Sequence, residues 1–556
     1  MIILQVIDIP QICSQLGVRY VVISPGSRSA HITMAFARHP DIQKLVVPDE
    51  RSAAYIALGL AQACAGIVAL VCTSGSATVN YYPAITEAYY QNVPLLVLTA
   101  DRPAKWIDKN DGQTIRQENL YKNHIKSFYL FPEGKGPEIR MKSRDMMINA
   151  INDACKFPQG PVHVNIPIDE PFYPELNEEM VFEELSIAQL KKDQKGPELF
   201  SAEDLDLLKG KKVAIVAGQM PGLPHYLEKI AKLSYEKKIP VFADVISNVH
   251  SFHGAITFHD SFEDVFEQRL VPEVIITFGK SILSKRLKLA LRNMKELIHF
   301  HVSLNDFPAD TYLSLKKTFH CDPMVFFEQL LHSSISNQID YFENLVILNQ
   351  KAEEKINRFP QKIGYSEFQV FSLVWNALPD NCTVHLANSM PVRYANIMTN
   401  KGGKTIYANR GTSGIDGSTS TAVGHSIHNK GTHFLLTGDM AFFYDRNALW
   451  HSHLPDNLKI VVFNNHGGGI FRLLEGPDRQ PELESYFETN QKLTAKNTAI
   501  DFEMDYYFCD SEEALMKNLP KFLFESDKKA ILEIETLNKA NQKVFLQYKS
   551  FIKNET

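Results

Sequence analysis

The sequence has little of what marks membrane, secreted or nucleic-acid-binding proteins. No apolar run approaches the roughly 20 residues that span a bilayer, since the longest candidates, 67–72 and 95–98, have the length of strands. The seven cysteines are scattered and form no Cys-x-x-Cys pair, a pattern that suits neither a disulfide framework nor a zinc knuckle. Lys and Arg number 58 against 64 Asp and Glu, a formal net charge of -6. We therefore expect no broad basic surface for nucleic acid or membranes.

The N-terminal segment MIILQVIDIP has neither a basic stretch nor a small-residue cleavage site. We therefore expect no signal peptide, and we expect a cytoplasmic protein with reduced thiols. The rest of the composition is ordinary, because 44% of the 556 residues are hydrophobic and 22% are charged. A chain of this length can bury several cores, at about 150 residues per domain.

Short apolar runs rich in β-branched residues alternate with helical patterns in three successive sets. Such alternation is typical of parallel sheets covered on both faces. We therefore predict an α/β protein with three doubly wound parallel-sheet domains at 1–184, 213–332 and 363–556, joined by a charged linker at 185–212 and a mostly helical connector at 333–362. The predicted strands are 21–24, 68–72, 95–99 and 162–166 in the first set, 213–216, 241–245, 274–278 and 299–302 in the second, and 383–386, 405–408, 433–437, 459–463 and 530–534 in the third.

Polar residues follow two predicted strands of the third set. Gly438 and Asp439 come after one strand, and Asn465 follows the next strand 26 positions later. A single strand–helix–strand unit would bring Asp439 and Asn465 side by side at the carboxyl edge of the sheet. A carboxylate, an amide oxygen and a main-chain carbonyl are hard oxygen ligands that suit Mg²⁺ bridging a diphosphate. The glycines 467–469 would let the backbone approach phosphate groups closely.

The Gly-Asp pair and the spaced Asn resemble the cofactor motif of thiamine-diphosphate enzymes. The resemblance implies that Asp439, Asn465 and the Gly467 carbonyl bind Mg²⁺, with Mn²⁺ as a possible substitute. Met440 departs from the motif, because many of these enzymes have a further glycine there. Gly438 and Asp439 alone are explained equally well by a helix N-cap, and the spaced Asn465 with the glycine run favours the cofactor.

A carboxylate in the first domain fits the same cofactor. Glu50 lies between a predicted strand and an alanine-rich helix in VVPDERSAAYIALGLA. Thiamine chemistry needs a carboxyl group at N1′ of the aminopyrimidine, which stabilises the imino tautomer that removes the C2 proton. Taken alone, Glu50 is better explained as an acidic residue at a helix N-terminus, which is how we interpret Asp49.

The order of the two signals resembles that of decarboxylases and acetolactate synthases in this class. The resemblance implies a pyrimidine-binding domain at 1–184, a middle domain at 213–332 and a diphosphate-binding domain at 363–556. It also implies a cofactor held between the pyrimidine-binding domain of one subunit and the diphosphate-binding domain of another. We therefore expect a homodimer or homotetramer with its active sites at the subunit interface.

Eight motifs in all three predicted domains narrow the resemblance. They are SPGSRS at 24–29, DERSAA at 49–54, TSGSATVN at 73–80, LTADRP at 98–103, GQTIRQ at 112–117, SKRL at 284–287, NRGTSGIDG at 409–417 and NNHGGGIF at 464–471. Together they are similar to the 2-succinyl-5-enolpyruvyl-6-hydroxy-3-cyclohexene-1-carboxylate synthase family of menaquinone biosynthesis. The resemblance implies a transferase that decarboxylates 2-oxoglutarate and adds the resulting succinyl-semialdehyde carbanion 1,4 to isochorismate. The products would be 2-succinyl-5-enolpyruvyl-6-hydroxy-3-cyclohexene-1-carboxylate and CO₂.

Both substrates of that reaction are dicarboxylates, so the site needs fixed cations and hydrogen-bond donors. One cation alone is usually a solvated surface charge, whereas five within family motifs favour a substrate site. Besides Glu50, the resemblance assigns catalytic and substrate roles to Ser27, Arg28, Gln113, Lys285, Arg286, Ser389, Arg393 and Arg410. It assigns cofactor contacts to Glu50, Ser389, Arg410, Ile415, Gly438, Asp439, Asn465, Gly467, Gly468, Ile470, Phe471 and Leu474.

Two alternatives are left open by the sequence. Another thiamine-diphosphate-dependent 2-oxoacid decarboxylase or carboligase would use the same cofactor residues without the cluster of cations. A non-catalytic relative that only binds a partner would have no need for Glu50, Asp439 and Asn465 together.

Overall fold

Three parallel sheets follow one another along the chain. The computed structural model describes residues 3–170, 173, 179–187, 200–222, 225–250, 252–261, 270–304, 310–398, 402–474 and 476–554. Within these residues the strands form three six-stranded sheets, and each pairing between described strands is parallel. The predicted fold class of three doubly wound α/β domains is confirmed.

The first sheet contains the buried apolar runs that its sequence predicts. Its strands are β1 (Tyr20–Ile23), β2 (Gln43–Val46), β3 (Val68–Cys72), β4 (Leu95–Asp101), β5 (Phe128–Leu130) and β6 (Val162–Pro167). Its helices are α1 (Leu4–Gln15), α2 (Ala30–Arg38), α3 (Glu50–Cys64), α4 (Ser76–Asn80), α5 (Tyr82–Gln91) and α6 (Pro137–Cys155). The strand order is β2-β1-β3-β4-β6-β5.

The second sheet is built from shorter strands. They are β7 (Val213–Ala217), β8 (Val241–Ala243), β9 (Ala255–Ile256), β10 (Val274–Phe278), β11 (Ile298–Val302) and β12 (Leu315–Phe319). Its helices, with the long helix that leads to the third sheet, are α7 (Ala202–Leu208), α8 (Leu227–Lys237), α9 (Lys285–Arg292), α10 (Pro323–His332) and α11 (Ile339–Arg358). The strand order β12-β11-β10-β7-β8-β9 differs from that of the first sheet.

The third sheet repeats the topology of the first. Its strands are β13 (Thr383–Leu386), β14 (Thr405–Tyr407), β15 (His433–Gly438), β16 (Leu458–Asn464), β17 (Asp505–Cys509) and β18 (Ala530–Glu535). Its helices are α12 (Glu367–Ala377), α13 (Met390–Ile397), α14 (Ser418–His428), α15 (Asp439–Tyr444), α16 (Lys496–Asp501), α17 (Glu512–Pro520) and α18 (Asn538–Asn554). The order β14-β13-β15-β16-β18-β17 matches that of the first sheet strand for strand.

The differences from the sequence prediction have local causes. Strands such as β2 and β17 were not predicted, because they lie at sheet edges and are only partly buried, so their sequences carry no continuous apolar run. Two helices, α4 and α5, stand between β3 and β4, because Pro83 lies in the first turn of α5 and favours a new helix start there.

The domain boundaries stay a prediction. Part of the predicted linker at 185–212 lies outside the described residues, and another part forms α7, whose Leu208 is buried in the core of the second sheet. The predicted connector at 333–362 contains α11.

Two glycines bring the first and third domains into direct contact. Helices α3 and α14 cross so closely that a Cβ atom on Gly59 would lie 2.1 Å from the Thr421 carbonyl oxygen. A Cβ atom on Gly424 would lie 2.1 Å from the Ile56 carbonyl oxygen. Because any larger residue would push the helices apart, these glycines set the distance between the two domains.

The structure also bears on the cysteines and on the predicted absence of membrane-spanning segments. All seven cysteines are free thiols. Among the helices that the structure describes, none has the length and apolar character needed to cross a bilayer.

Candidate active site

The predicted pairing of Asp439 with Asn465 is present at the carboxyl edge of the third sheet. β15 and β16 are parallel neighbours, and Gly438 pairs with Phe463 at their ends. Asp439 is the first residue of α15, and Asn465 directly follows β16. The spacing of 26 residues therefore brings both side chains to one edge, as the strand–helix–strand unit predicts.

The Asp439 carboxylate is almost completely buried, with 2% of the residue exposed. Burial raises its pKa to about 6, although a hydrogen bond from Gln491 and main-chain N–H groups of Met440 and Gly467 favour the charged form. Gln491 Nε2 donates to Asp439 Oδ2 at 2.7 Å. A buried carboxylate with a raised pKa is a group that gains from a cation beside it.

Asn465 is held by a residue that the sequence analysis did not select. Its Nδ2 donates to Glu367 Oε2 at 2.7 Å. Glu367 also accepts from Asn541 Nδ2 at 3.3 Å, and its main-chain N–H donates to Asn541 Oδ1 at 2.8 Å. These bonds fix the Asn465 amide, and burial raises the pKa of Glu367 to about 7 with a smaller contribution from the nearby Asp439 charge.

The oxygen of the same amide fits a metal ligand. Asn465 Oδ1 is buried and accepts no hydrogen bond from the residues that the structure describes. A buried acceptor without a partner is costly, and a hard cation would satisfy it together with the Asp439 carboxylate. The Gly467 carbonyl accepts from Gly469 N–H at 3.0 Å and keeps a second lone pair for a ligand. The three predicted Mg²⁺ ligands therefore fit that ion chemically.

Two glycines near these ligands, Gly467 and Gly438, differ in whether the packing of this chain leaves room for a side chain. A Cβ atom on Gly467 would lie 2.7 Å from the Glu488 carbonyl oxygen, so packing within the protein excludes a side chain there. A Cβ atom on Gly438 would meet no described atom within 4 Å. Gly467 is thus required by the fold itself, whereas nothing described in this chain requires Gly438.

The loop after β16 carries the predicted apolar wall. Gly468 N–H donates to the Glu488 carbonyl at 2.7 Å, and the Arg472 guanidinium pairs with the Glu488 carboxylate at 2.6 Å. These bonds hold a short 3₁₀ turn from Gly469 to Leu473. Within and beside that turn, Ile470 is partly buried against the core, the Phe471 ring contacts Phe487, and Leu474 is 42% exposed.

Two predicted cations meet at the same sheet edge. Ser389 follows β13, the neighbour of β15, and its φ of 77° is a strained value for a residue with a side chain. Arg393 Nη1 donates to the Ser389 carbonyl at 2.5 Å. Partial desolvation and, after it, the nearby Arg410 charge lower the pKa of Arg393, although the residue is exposed in the single chain. Burial also lowers the pKa of Arg410, so two positive charges are held close together where an anion would relieve their repulsion.

The Arg410 loop is tied to its surroundings by an asparagine. Arg410 Nη1 donates to Asn388 Oδ1 at 2.7 Å, and the Asn388 amide donates to the carbonyls of Asn409 and Gly414. Arg410 Nε is buried and donates to no described residue. Ile415, five residues farther on, is 37% exposed for an apolar side chain.

A buried carboxylate of the first domain holds the other side of this loop. Glu87 is fully buried in α5 and accepts from the main-chain N–H groups of Gly411 at 2.8 Å and Thr412 at 2.6 Å. Gln91 Nε2 donates to Glu87 at 3.1 Å and to Gln219 Oε1 of the second domain at 3.2 Å. The loop that carries Arg410 is therefore clamped by groups from all three domains.

The predicted middle-domain cations begin helix α9. Lys285 is exposed and Arg286 is partly buried. Arg286 Nη1 donates to the Asp260 carbonyl at 3.1 Å. Lys288, one turn farther along α9, lies close enough to Arg410 for that charge to contribute to the lowering of its pKa. Helix α9 therefore faces the Arg410 loop.

Glu50, a predicted site residue of the first domain, is the first residue of α3. Glu50 accepts from Asn80 Nδ2 at 3.4 Å. Asp49 accepts from Ser52 N–H at 3.1 Å, which confirms its interpretation as a helix cap. An open pocket of about 400 Å³ surrounds Glu50 and is lined by Pro48, Asp49, Glu50, Arg51, Asn80 and Trp450. None of the predicted Mg²⁺ ligands is among the described residues that line it, whereas Trp450 of the third domain is.

Three further predicted residues lie on loops at the carboxyl edge of the first sheet. Arg28 Nη1 donates to the Ile168 carbonyl at 2.9 Å, and burial with the nearby Arg102 charge lowers its pKa. Ser27 is exposed beside it. Gln113 is exposed and has a φ of 56°. Together these loops hold one buried cation, Arg28, and two exposed neutral side chains that can form hydrogen bonds.

The residues that hold the site together are not among those predicted from the sequence. Glu367 and Glu87 are acidic residues on apolar helices and each resembles an ordinary surface carboxylate in sequence. Asn388 had a weak signal, since it directly precedes the selected Ser389 at the end of a strand. Gln491 lies in a polar loop and had no signal at all.

Comparison with known proteins shows which class of enzyme the chain resembles. Residues 8–120 match the model of the N-terminal TPP-binding domain of thiamine pyrophosphate enzymes, and residues 186–386 match that of the middle domain of thiamine pyrophosphate enzymes. The chain superposes on benzoylformate decarboxylase from Polynucleobacter necessarius with a TM-score of 0.71, covering 96% of this chain and 98% of that one at 16% identity. That likeness shows the fold. Fold and matched domains together define a thiamine-diphosphate-dependent enzyme, thiamine pyrophosphate being the same compound.

Curated relatives specify the family. A 2-succinyl-5-enolpyruvyl-6-hydroxy-3-cyclohexene-1-carboxylate synthase from Cytophaga hutchinsonii is 40% identical, with 98% of each chain covered. The synthase of the same name from Flavobacterium johnsoniae is 38% identical, with 97% of each chain covered. The chain belongs to the 2-succinyl-5-enolpyruvyl-6-hydroxy-3-cyclohexene-1-carboxylate synthase family.

Proposed function

We propose that this enzyme decarboxylates 2-oxoglutarate and joins the remaining four-carbon unit to isochorismate. The product is 2-succinyl-5-enolpyruvyl-6-hydroxy-3-cyclohexene-1-carboxylate, an intermediate of menaquinone biosynthesis. One observation supports this proposal above the others. At one edge of the third sheet, two predicted metal ligands and two neighbouring guanidinium groups follow the ends of its strands. Asp439 and Asn465 follow β15 and β16, and the Ser389–Arg393 segment follows β13. Membership of the family favours this reaction over that of another 2-oxoacid decarboxylase.

The third domain would hold the diphosphate of the cofactor through Mg²⁺. Asp439 supplies a charged oxygen, Asn465 supplies the buried oxygen that has no hydrogen-bond partner among described residues, and Gly467 supplies its carbonyl. Mn²⁺ prefers the same oxygen donors and is the natural substitute. Bound thiamine diphosphate supplies the chemistry that the protein lacks, since it accepts the electron pair released when a 2-oxo acid loses CO₂.

The remaining predicted residues around this edge would shape the cofactor site. Ile415 and Leu474 are apolar side chains with 37% and 42% of their surface exposed. Together with Ile470 and Phe471 they would exclude water from the reacting atoms, and a weakly polar site favours loss of a charged carboxylate as neutral CO₂. Ser389 and Gly468 would contact the cofactor from the two loops that follow β13 and β16.

Arginine forks suit the carboxylates of both substrates. Arg393 and Arg410 already repel each other, so a bound carboxylate removes a cost as well as forming charged hydrogen bonds. Lys285 and Arg286 on α9 would add charge from the middle domain. We assign Arg393 mainly to isochorismate and Arg410 to both substrates.

Glu50 would act in a site completed by a second copy of the chain. It would donate and accept the proton at the aminopyrimidine N1′, and among the described residues neither its hydrogen bond from Asn80 nor the lining of its pocket involves the predicted Mg²⁺ ligands. Ser27, Arg28 and Gln113, which lie on the same domain as Glu50, would contribute substrate contacts to that shared site. We therefore propose at least a homodimer with its active sites at the subunit interface. The cytoplasmic location stays a prediction.

The test is product analysis with purified enzyme, thiamine diphosphate, Mg²⁺, 2-oxoglutarate and isochorismate. We expect CO₂ release together with the coupled product, and much slower CO₂ release when isochorismate is omitted. Succinic semialdehyde as the main product with both substrates present would identify a simple decarboxylase. Equal turnover of monocarboxylic 2-oxo acids would contradict the role of the cations.

A further inference from the structure

A buried carboxylate of the middle domain joins the two helices that carry substrate cations. Asp244 follows β8, and 2% of the residue is exposed. Its Oδ2 accepts from the main-chain N–H groups of Leu283 and of Ser284, the latter at 3.2 Å, directly before α9. Its Oδ1 accepts from Asn396 Nδ2 of α13 at 3.3 Å. One side chain therefore contacts both helices.

The charge of this carboxylate is balanced inside the protein. His259 Nε2 lies 3.3 Å from Asp244 Oδ1, and the His259 side chain is 1% exposed. Burial by itself would lower the pKa of His259, but the carboxylates of Asp244 and Asp260 raise it to about 10. The two carboxylates therefore favour the protonated ring, and a protonated ring balances a carboxylate that would otherwise be costly to bury.

Each helix reached by Asp244 presents a predicted substrate cation near the contact. Lys285 and Arg286 are the first two residues of α9, and Ser284 caps that helix by accepting from Leu287 N–H at 2.9 Å. On α13, Asn396 lies three residues after Arg393, so it is nearly one helical turn away on the same side. Asn396 also accepts from the main-chain N–H of Val245 at 2.8 Å, the residue after Asp244.

The link crosses a domain boundary. Helix α9 belongs to the second sheet and α13 to the third. Asp244 also lies near enough to the Arg410 guanidinium to favour its charged form. A shift of α9 against α13 would change the distance between cations that have to match two carboxylates of one substrate. A misplacement of about 1 Å costs up to ~100-fold in rate when reacting groups must be aligned.

We propose that Asp244, paired with His259, is a positioning residue that fixes α9 against α13 and so sets the spacing between Lys285, Arg286 and Arg393. The role rests on the proposed function, because it concerns cations that bind substrate carboxylates. It is distinct from catalysis, since the hydrogen bonds of Asp244 among the described residues lead to these helices through main-chain N–H groups and through Asn396. The competing explanation is that Asp244 only stabilises the fold.

The test compares Asp244→Asn with wild-type holoenzyme. We expect the KM values for 2-oxoglutarate and isochorismate to rise and kcat/KM to fall about 10- to 100-fold. The affinity for thiamine diphosphate and Mg²⁺, measured by calorimetry, should stay within about twofold. The matched control is Asp322→Asn, because Asp322 caps α10 of the same domain by accepting from Met324 N–H at 2.7 Å. Helix α10 carries no predicted substrate residue, so the control should change the melting temperature alone.

A second variant covers the case in which Asp244→Asn does not fold. Asn396→Ala removes only the link to α13 at a partly buried position, and it should raise the same KM values with the cofactor affinity unchanged. Unchanged KM values in Asn396→Ala, or a loss of cofactor affinity in parallel with kcat/KM in Asp244→Asn, would overturn the positioning role. Wild-type enzyme that turns over neither substrate would instead overturn the proposed function, and this role with it.

Discussion

The contact between Glu367 and Asn465 leads to a prediction about metal affinity. Glu367→Ala removes the acceptor of the 2.7 Å hydrogen bond from Asn465 Nδ2. Because Glu367 is 3% exposed, water cannot easily replace that acceptor. Leaving a buried donor without a partner costs about 1–3 kcal/mol of folding stability. Residues that orient metal ligands typically contribute 10- to 100-fold to metal affinity. We expect Glu367→Ala to weaken Mg²⁺-dependent binding of thiamine diphosphate by about that factor.

Calorimetric titration of Mg²⁺ at a fixed concentration of thiamine diphosphate measures this effect without turnover. Glu367→Gln keeps an acceptor oxygen and should bind within a few-fold of wild type. Asp439→Ala removes a ligand outright and should abolish Mg²⁺-dependent binding. The matched control is Glu512→Ala, because Glu512 also stands in the first turn of a helix of the third domain and accepts from an amide, that of Gln369 at 3.0 Å.

Three results would contradict this reasoning. Glu367→Ala with wild-type metal affinity and only a lowered melting temperature would show that Asn465 is oriented by other contacts. An equal loss of affinity in Glu512→Ala would show that the effect comes from general destabilisation of the domain. Unchanged cofactor affinity in Asp439→Ala would remove the metal assignment itself.

Three further predictions concern the proton-transfer group, the substrate cations and the domain contact. Glu50→Gln should bind thiamine diphosphate but lose nearly all product formation, and near-wild-type turnover would exclude Glu50 from proton transfer. Arg393→Ala and Arg410→Ala should each lower kcat/KM by about 10- to 150-fold, because a hydrogen bond to a charged group is worth about 1.5–3 kcal/mol. Kinetics in which each substrate is varied separately check this, and two unaffected variants would leave the cations as surface charge. Gly424→Ala should lower the melting temperature by forcing α14 away from a main-chain oxygen of α3. Gly431→Ala, where a Cβ atom meets no described atom within 4 Å, is its control, and equal melting temperatures would contradict the steric argument.

A strand was predictable from the sequence wherever it is buried on both faces, because its sequence is then a continuous apolar run. Central strands such as β3 and β16 are apolar throughout because both faces of a parallel sheet are covered. The juxtaposition of Asp439 with Asn465 was predictable for the same reason, since parallel neighbours end at the same edge. Edge strands such as β2 were not, because one partly exposed strand has no such pattern.

The contacts that orient the site depend on tertiary packing. Glu367 meets Asn465 across 98 positions, and Glu87 meets Thr412 across 325 positions. In sequence, Glu87 is simply one turn from Gln91, as in many solvated helices. Whether a carboxylate faces solvent or a backbone N–H of another domain is decided only when whole sheets pack against each other.

The sequence by itself determined the fold class, the two ends of the cofactor motif and the residue types that suit two acidic substrates. These features depend on short-range periodicity and on the ends of neighbouring strands, which local patterns record. The tertiary structure decided that Glu50 accepts from Asn80 and lies in a pocket lined by Trp450 of the third domain. It also decided that Asp244, Glu87 and Glu367 hold the loops and helices of the site. Those outcomes depend on how the domains pack against each other. Such packing joins residues that are far apart in the sequence, and no local sequence pattern predicts which of them will meet.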